Sequence, residues 1–349
     1  MTAARLYMSG ARTVLGATLV GMDIEQFGSD DAEAVARYVE LANAARAVDS
    51  PWVHPLTQRQ AEGTFRLGWD GEPPTPFLAT VHGTTVAAGE VHTSEYDNLH
   101  VAWLSVEVHP ERRRRGYGTQ LLEGLAEHAR KIGRTSLGID GWESDATRAF
   151  AEAHGFEKKS QAINRRQFPG DLDWAMVEKV HSVALDHASS YEIIRRLGRT
   201  PDDELVAVAE MSAAINDAPT DDLDIEDEVF PPERIRAYED AQIARGHVLH
   251  RVFARHRETG ELAGHTIVAV DEERPQLGHQ HDTSVVKAHR GHRLGLLLKA
   301  DMNLWLRETQ PQLESVDTWN AESNDHMIGV NEQLGYRIMG RALEFQKSI

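Results

Sequence analysis

The chain repeats itself, and no other feature limits its fold as much. One stretch reads Val108-His-Pro-Glu-Arg-Arg113-Arg-Arg-Gly116-Tyr-Gly118; a second reads Val285-Val-Lys-Ala-His-Arg290-Gly-His-Arg293-Leu-Gly295. Each runs into an apolar pattern of helical period. Arg113 to Arg290 and Gly118 to Gly295 are both 177 positions apart. Upstream, Gly89 answers Gly264 at an offset of 175; downstream, Gly155-Phe156 answers Gly335-Tyr336 at 180. Four landmarks in one order, half a chain apart, imply two copies of one domain, because the period is far too long for a solenoid. The 349 residues suit two domains. The copies are expected at 18–170 and 188–349, joined through Pro169 to Ser190, a stretch of proline, glycine and mixed polarity.

The coarse structure of the copies agrees. Phe77–Val81 and Thr85–His92 read as strands around a His82-Gly83-Thr84 turn, and His100–Val108 as a longer strand. Leu121, Leu122, Leu125, Ala129 and Ile132 share a helical face that Gly133 ends. A strand at Ser136–Ile139, a helix at Asp145–His154 and a further strand follow. In the second copy Val248–Arg255, Ala263–Val270, His279–Val286 and Val316–Trp319 read as strands, with helices after Leu294 and over Asp325–Leu334. Each copy is thus expected to open with a helical region and then run three strands, helix, strand, helix, strand. The acidic stretch Thr220–Glu228 reads as a solvated loop, or as one that touches a cationic ligand.

Composition excludes several chemistries. With no cysteine there are no disulfides, thiolate metal sites or cysteine nucleophiles. The net charge of −18 repels phosphate backbones and anionic membranes, so neither a nucleic-acid nor a membrane partner is expected. It favours a cationic small molecule, or serves only solubility. No run approaches the roughly 18 apolar residues of a membrane span. Arg5 and Arg12 precede a short apolar patch, Thr13 to Met22, that lacks the pattern of a signal peptide, and a cytoplasmic protein is expected.

The repeated glycine turn is where chemistry is expected. A strand-to-helix junction exposes unpaired N–H groups and a partial positive charge. Glycine lets a bound group approach the main chain, so such a junction cradles a diphosphate. The spacing fits neither a P-loop nor a Rossmann fingerprint.

Arg113-x-x-Gly116-x-Gly118, after a strand ending at Val108 and before a long amphipathic helix, resembles the acyl-CoA-binding signature of the GNAT N-acetyltransferase superfamily. Gly155-Phe156, and Asn324-x-x-Met327-x-x-x-Asn331-x-x-Leu-Gly335-Tyr336, resemble that family's later conserved segment. The resemblance covers most of both halves and is similar in architecture to the tandem acetyltransferases that include mycothiol synthase. It implies an α/β (α+β) fold of two tandem GNAT domains, each a mixed, mostly antiparallel sheet flanked by helices, with one splayed parallel strand pair. It implies acetyl-CoA as co-substrate, without metal, and an N-acetyltransferase acting on a small-molecule amine by direct attack in a ternary complex. The implied coenzyme contacts are Val106, Val108, Arg113, Arg114, Arg115, Gly116, Tyr117, Gly118 and Thr119 in the first copy. In the second they are Val285, Arg290, Gly291, His292, Arg293, Gly295 and Asn324.

Departures from the pattern keep an alternative open. Arg293 takes the first cradle glycine's place and can crowd the diphosphate, point outward or add a phosphate contact. The family's tyrosine acid is replaced by Ala151 and Asn331, and Asn331 can hydrogen-bond a sulfur. On the first copy's central strand Glu107 points away from the Val108 face if the strand is regular. On the second copy's strand His279, His281 and Thr283 share Val285's face, with Asp282 beside them. His281, Asp282 and Asn331 are the expected catalytic residues, with His281 as base. His279-x-His281 is too sparse for a metal site. The other reading is a non-catalytic acyl-CoA-binding or regulatory protein whose sites have decayed. A monomer or homodimer fits either reading.

Overall fold

The computed structural model describes residues 21–349. Arg5, Arg12 and most of the apolar patch lie outside the described residues, as does the expected start of the first copy at 18–20. The amino-terminal lobe runs β1 (Met22–Gln26), α1 (Ala32–Asp49), α2 (Gln58–Leu67), β2 (Thr75–Val81), β3 (Thr84–His92), β4 (Val101–Val108), α3 (Tyr117–Lys131), β5 (Ser136–Trp142), α4 (Asp145–Ala153) and β6 (Glu157–Gln167). After α5 (Trp174–His187) the carboxy-terminal lobe repeats it: β7 (Tyr191–Leu197), α6 (Leu205–Ser212), α7 (Pro232–Ala244), β8 (His247–His256), β9 (Leu262–Asp271), β10 (Leu277–Val285), α8 (Leu294–Thr309), β11 (Ser315–Ala321), α9 (Asp325–Gln333) and β12 (Arg337–Ser348).

Four expectations need correcting. Each lobe opens with a strand, β1 or β7, not with helices; both are short edge strands carrying outward charges, so their apolar alternation is brief. The junction holds a helix, α5, whose Val180 and Ala184 pack into the carboxy-terminal core. Gly89 and Gly264 are not equivalent. The β3–β4 ladder sets Ala87 opposite Val108, whereas the β9–β10 ladder sets Gly264 opposite Val285. The true offset is therefore 177 here too. The acidic stretch is not free in solvent: it straps the lobes together. Ser160 donates to Asp221 at 2.7 Å, the Asp224 N–H to Gln346 at 2.7 Å, and the Glu226 N–H to Asn98 at 2.7 Å.

All strands form one sheet in the order β1-β2-β3-β4-β5-β12-β6-β11-β10-β9-β8-β7. The lobes have exchanged their last strands. β12 pairs along β5, and β6 pairs along β11, while β12 and β6 lie antiparallel at the centre. Leu343 and Phe345 of β12 are buried in the amino-terminal core with Leu121, Leu122, Leu125 and Ile139. β6 brings the other lobe polar groups instead: Arg166 forks onto Asp317 at 2.8 and 2.9 Å, and Gln167 donates to the Leu334 carbonyl at 2.6 Å. The duplicated Trp142 and Trp319, 177 positions apart, meet across this centre with ring centroids 5.2 Å apart.

Two strand pairs are parallel, one per lobe. β4 follows β5 from Val101 to Leu104, and β10 follows β11 from Leu277 to His279. Beyond those residues the partners separate. Ser105–Val108 and Gln280–Val285 are left uncovered on one side, forming two clefts. The second cleft opens earlier because β10 bulges between Gln280 and Thr283.

Candidate active site

Each cleft leads to a glycine turn. In the amino-terminal lobe α3 begins at Tyr117, capped by Gly116 at φ 82°. Arg114 is also left-handed, at φ 63°. In the other lobe the same two places are Gly291 at φ 86° and Arg293 at φ 56°. Glycine and arginine have traded positions while the backbone kept its path; Arg293 is exposed. Among the described residues, the N–H groups of 114–119 donate to no protein acceptor, and neither do those of 291–296. Both rows sit at a helix start of partial positive charge, which fits a diphosphate. A β-carbon on Gly118 would lie 3.3 Å from the Phe150 ring and 3.4 Å from Val108, so helix and strand close tightly there.

The leading arginines brace the turn. Arg113 donates from Nε to the Val108 carbonyl at 3.1 Å and forks onto Asp49 at 2.7 and 2.6 Å. Arg290 repeats this on the Val285 carbonyl at 3.1 Å and on Asp217 at 2.6 Å. Arg114 and Arg115 are exposed beside the unpaired N–H row. Val106, Val108 and the half-buried Tyr117 pack on the amino-terminal core. The Thr119 hydroxyl meets His154 at 3.1 Å. His292 is exposed, 5.5 Å from Tyr191 ring to ring, and Gly295 is buried in the first turn of α8. Asn324 caps α9 by accepting the Met327 N–H at 3.2 Å, as Ser144 caps α4.

The side chains in the clefts differ. In the amino-terminal lobe Glu107 faces α1, away from the Val106 and Val108 side. Burial pushes its carboxyl up to about 7; Arg46 opposes this, and Glu90 and Asp49 add to it. Its Oε2 is buried without a hydrogen-bond partner. Glu90 is occupied: the Tyr38 hydroxyl donates to it and His92 pairs with it at 2.7 Å. Burial works against the Glu90 charge, but the His92 and Tyr38 contacts outweigh it and hold the carboxyl below its usual range. Alternation along β4 was the sequence signal that set Glu107 on this face.

In the carboxy-terminal lobe His281 accepts or donates at Nδ1 with the Tyr238 hydroxyl, 2.5 Å away, and lies 4.7 Å from the Trp69 ring of the other lobe. Burial, then His247 and His279, drive its pKa well below the usual histidine value. Burial raises the Asp282 carboxyl. The bulge splits the expected face: His279 and His281 stay together beside His247, with ring centroids 5.6 and 6.3 Å from it, while Thr283 joins Gln280 against Thr266. Gln280 turns inward, donating to the Ile267 carbonyl at 2.6 Å. Asn331 is fully buried on α9 and donates to Asn320 at 2.6 Å. The structure therefore brings His281 and Asp282 together on the bulge and leaves Asn331 inside the α9–β11 packing. Among the described residues no group of three or more histidine or carboxylate side chains could hold a metal ion, and no helix is long and apolar enough to cross a membrane.

The lobes also reach into one another. Arg245, which ends α7, lies over the Trp69 ring at 5.4 Å and against Gly63 of α2. Its charge acts on Glu90 and His92 on one side and on His247 and His281 on the other. Burial lowers its guanidinium to about 10, which leaves it cationic at neutral pH. No pattern in the sequence points to this residue.

A sequence profile of the Acetyltransferase (GNAT) family matches residues 41–156, ending where β6 begins. No curated protein matches the chain. Among solved structures it is similar to a tandem GNAT protein from the clavulanic acid biosynthesis pathway, solved without acetyl-CoA. The two are 25% identical, with a TM-score of 0.76, over 94% of this chain and 98% of that one. A GCN5-related N-acetyltransferase from Sphaerobacter thermophilus shares the fold at 16% identity, TM-score 0.63, over 94% and 95% of the two chains. So does a GCN5-related glucosamine N-acetyltransferase region of a fungal multi-domain β-N-acetylglucosaminidase, at 15% identity, TM-score 0.66, over 94% of this chain and 38% of that one. With the duplicated clefts and glycine turns, these likenesses make the chain a tandem-domain member of the GNAT acetyltransferase superfamily.

Proposed function

We propose that the amino-terminal cleft transfers the acetyl group of acetyl-CoA directly to the amine of a small molecule, with Glu107 as the proton acceptor. Family membership supports acyl-CoA-dependent acetyl transfer in general; the lobe, the base and the acceptor are the finer reading. One observation carries it: an unpartnered carboxylate, poised near neutrality, stands on the strand whose uncovered edge leads to the unpaired N–H row. The diphosphate rests on the N–H groups of 114–119, with Arg114 and Arg115 adding charge. The uncovered main chain of Ser105–Val108 faces the thioester. Glu107 takes a proton as the amine attacks the carbonyl carbon; the C–N bond forms and the C–S bond breaks. The departing thiolate takes its proton from water. Its conjugate acid is near pKa ~8.5, so departure is easy without the missing tyrosine. The carboxy-terminal cleft is read as a coenzyme-holding or structural partner, because a histidine held this far below neutrality is a weak base.

Glu107→Gln tests the reading. It should lower kcat by about 10²-fold or more while acetyl-CoA affinity, by calorimetry, changes less than about threefold. An unchanged kcat would remove Glu107 as the base.

A further inference from the structure

Besides the unengaged Glu107 carboxylate, the protein buries an unengaged cation. Among the described residues, the Arg245 side chain makes no hydrogen bond or ion pair, and its Nε is buried without a partner. Its place is nonetheless fixed. Its N–H donates to the Ala241 carbonyl at 3.1 Å, and its main chain lies close against Gly63, where a β-carbon would meet it at 3.1 Å. Its guanidinium is held over Trp69. An arginine tied into structure normally has a carboxylate or carbonyl to fork onto, as Arg113, Arg166 and Arg234 do here. A buried donor left without an acceptor costs free energy, and an acceptor on a ligand would relieve that cost at a guanidinium already fixed in place.

The surroundings specify the ligand. Glu90, whose charge acts most strongly on Arg245, is already occupied by Tyr38 and His92. Glu90 also acts on Glu107. The β3–β4 ladder sets Glu90 opposite Ser105 and Ala88 opposite Glu107, so Glu90 and Glu107 share one face of the sheet, and Arg245 acts on Glu90 from the other lobe.

We propose that the acceptor carries a carboxylate as well as its amine, and that Arg245, supplied by the carboxy-terminal lobe, binds that carboxylate while Glu107 faces the amine. The inference rests on the reading of the amino-terminal cleft as the transferase site. It assigns the second lobe a part in substrate choice and explains why the lobes are interlocked at the α2–α7 seam. The net charge of −18 does not oppose it, because that charge is screened over about 8 Å in physiological salt while a fork of two hydrogen bonds acts at contact.

The test uses the full chain, acetyl-CoA, and free amino acids and dipeptides paired with their own carboxamides. Wild type should favour the carboxylate member by about 30-fold or more in kcat/KM, chiefly through KM. Arg245→Gln should bring the pair within about threefold, and Arg245→Lys should restore part of the preference. Acetyl-CoA affinity should stay unchanged in both variants, which separates lost recognition from lost folding. Carboxamides or simple amines used equally well by wild type, or a preference that survives in Arg245→Gln, would overturn the inference. In that case transfer that is still abolished by Glu107→Gln leaves the transferase reading standing. If acetyl-CoA binds and no member of any pair is acetylated, both readings fall.

Discussion

In the amino-terminal lobe β4 runs straight to Val108 and sets an unpartnered Glu107 beside its cleft; in the other lobe β10 bulges at His281 and Asp282 and packs its polar groups against Tyr238 and Trp69. The turns that follow share a left-handed residue at each of two matching places. The turn proposed to hold a diphosphate is therefore common to both lobes, and the side chains proposed for proton transfer differ between them. One extra residue in a strand suffices for this, because it flips the facing of everything beyond it.

The largest effect should come from breaking the strand exchange. Removing 337–349 deletes the strand that pairs with β5 and takes Leu343 and Phe345 from the amino-terminal core. Both lobes should lose their near-UV circular dichroism and cooperative melting. An intact amino-terminal lobe after this deletion would mean that each lobe folds on its own strands. The milder Leu343→Ala should cost about 2–5 kcal/mol in denaturant melts.

Acid should come next. His247 and His265 are held at about 3, and His279 and His281 are also lowered, chiefly by burial. Such neutral histidines contribute stability that is complete above the unfolded pKa near 6.5 and is lost as pH falls below it. Four extra protons on the unfolded chain give a slope of at most about 5 kcal/mol per pH unit between pH 6.5 and 4. Proton uptake measured on unfolding should fall above pH 7.5 to about the one proton of buried Lys299, whose ammonium burial lowers to about 7. A pH-independent melt between 4 and 7 would contradict the buried histidine cluster.

Glu107 should show the opposite sign. Its carboxyl is raised to about 7, so its ionised form is disfavoured in the folded chain above that pH and carries no penalty below the unfolded pKa near 4.5. Glu107→Gln should thus melt higher than wild type at pH 8, by at most about 3 kcal/mol, and equally at pH 4.5. The wild-type rate should rise with pH through about 7, since the base must be ionised, and this limb should vanish in Glu107→Gln.

The smallest effect separates bracing from binding. Arg114→Ala with Arg115→Ala should weaken acetyl-CoA binding about tenfold at low salt and less at high salt. His281→Gln should change the transfer rate less than about threefold, because its ring already serves Tyr238. A large loss from His281→Gln would move the chemistry to the carboxy-terminal cleft.

Much of the fold could be read from the chain, because the two copies check each other: a strand, a glycine turn and an apolar helix recur at one spacing. The exchange of β6 and β12 could not. Both strands follow the same helix in their copies, and neither sequence says whose fifth strand it will join. The glycine turn was legible as a local motif. The engagement of Arg113 was not, since its partner Asp49 lies 64 residues away. Glu107 was visible through the period of two, and the same rule misled on β10, where a bulge interrupts it. Arg245 carries no local signature at all; its meaning comes only from the other lobe's Trp69, Gly63 and Glu90.

If the amino-terminal turn holds the coenzyme for the reaction, its main-chain path has to be kept. Gly116 sits at φ 82°, where a β-branched residue is strained, so Gly116→Val should distort the N–H row without touching Glu107. Steady-state acetyl transfer by this variant is the most direct measurement. At least a hundredfold loss in kcat/KM for acetyl-CoA is expected, with cooperative folding kept and the melting temperature lowered by only a few degrees; transfer at the wild-type rate would instead place the reaction in the other lobe.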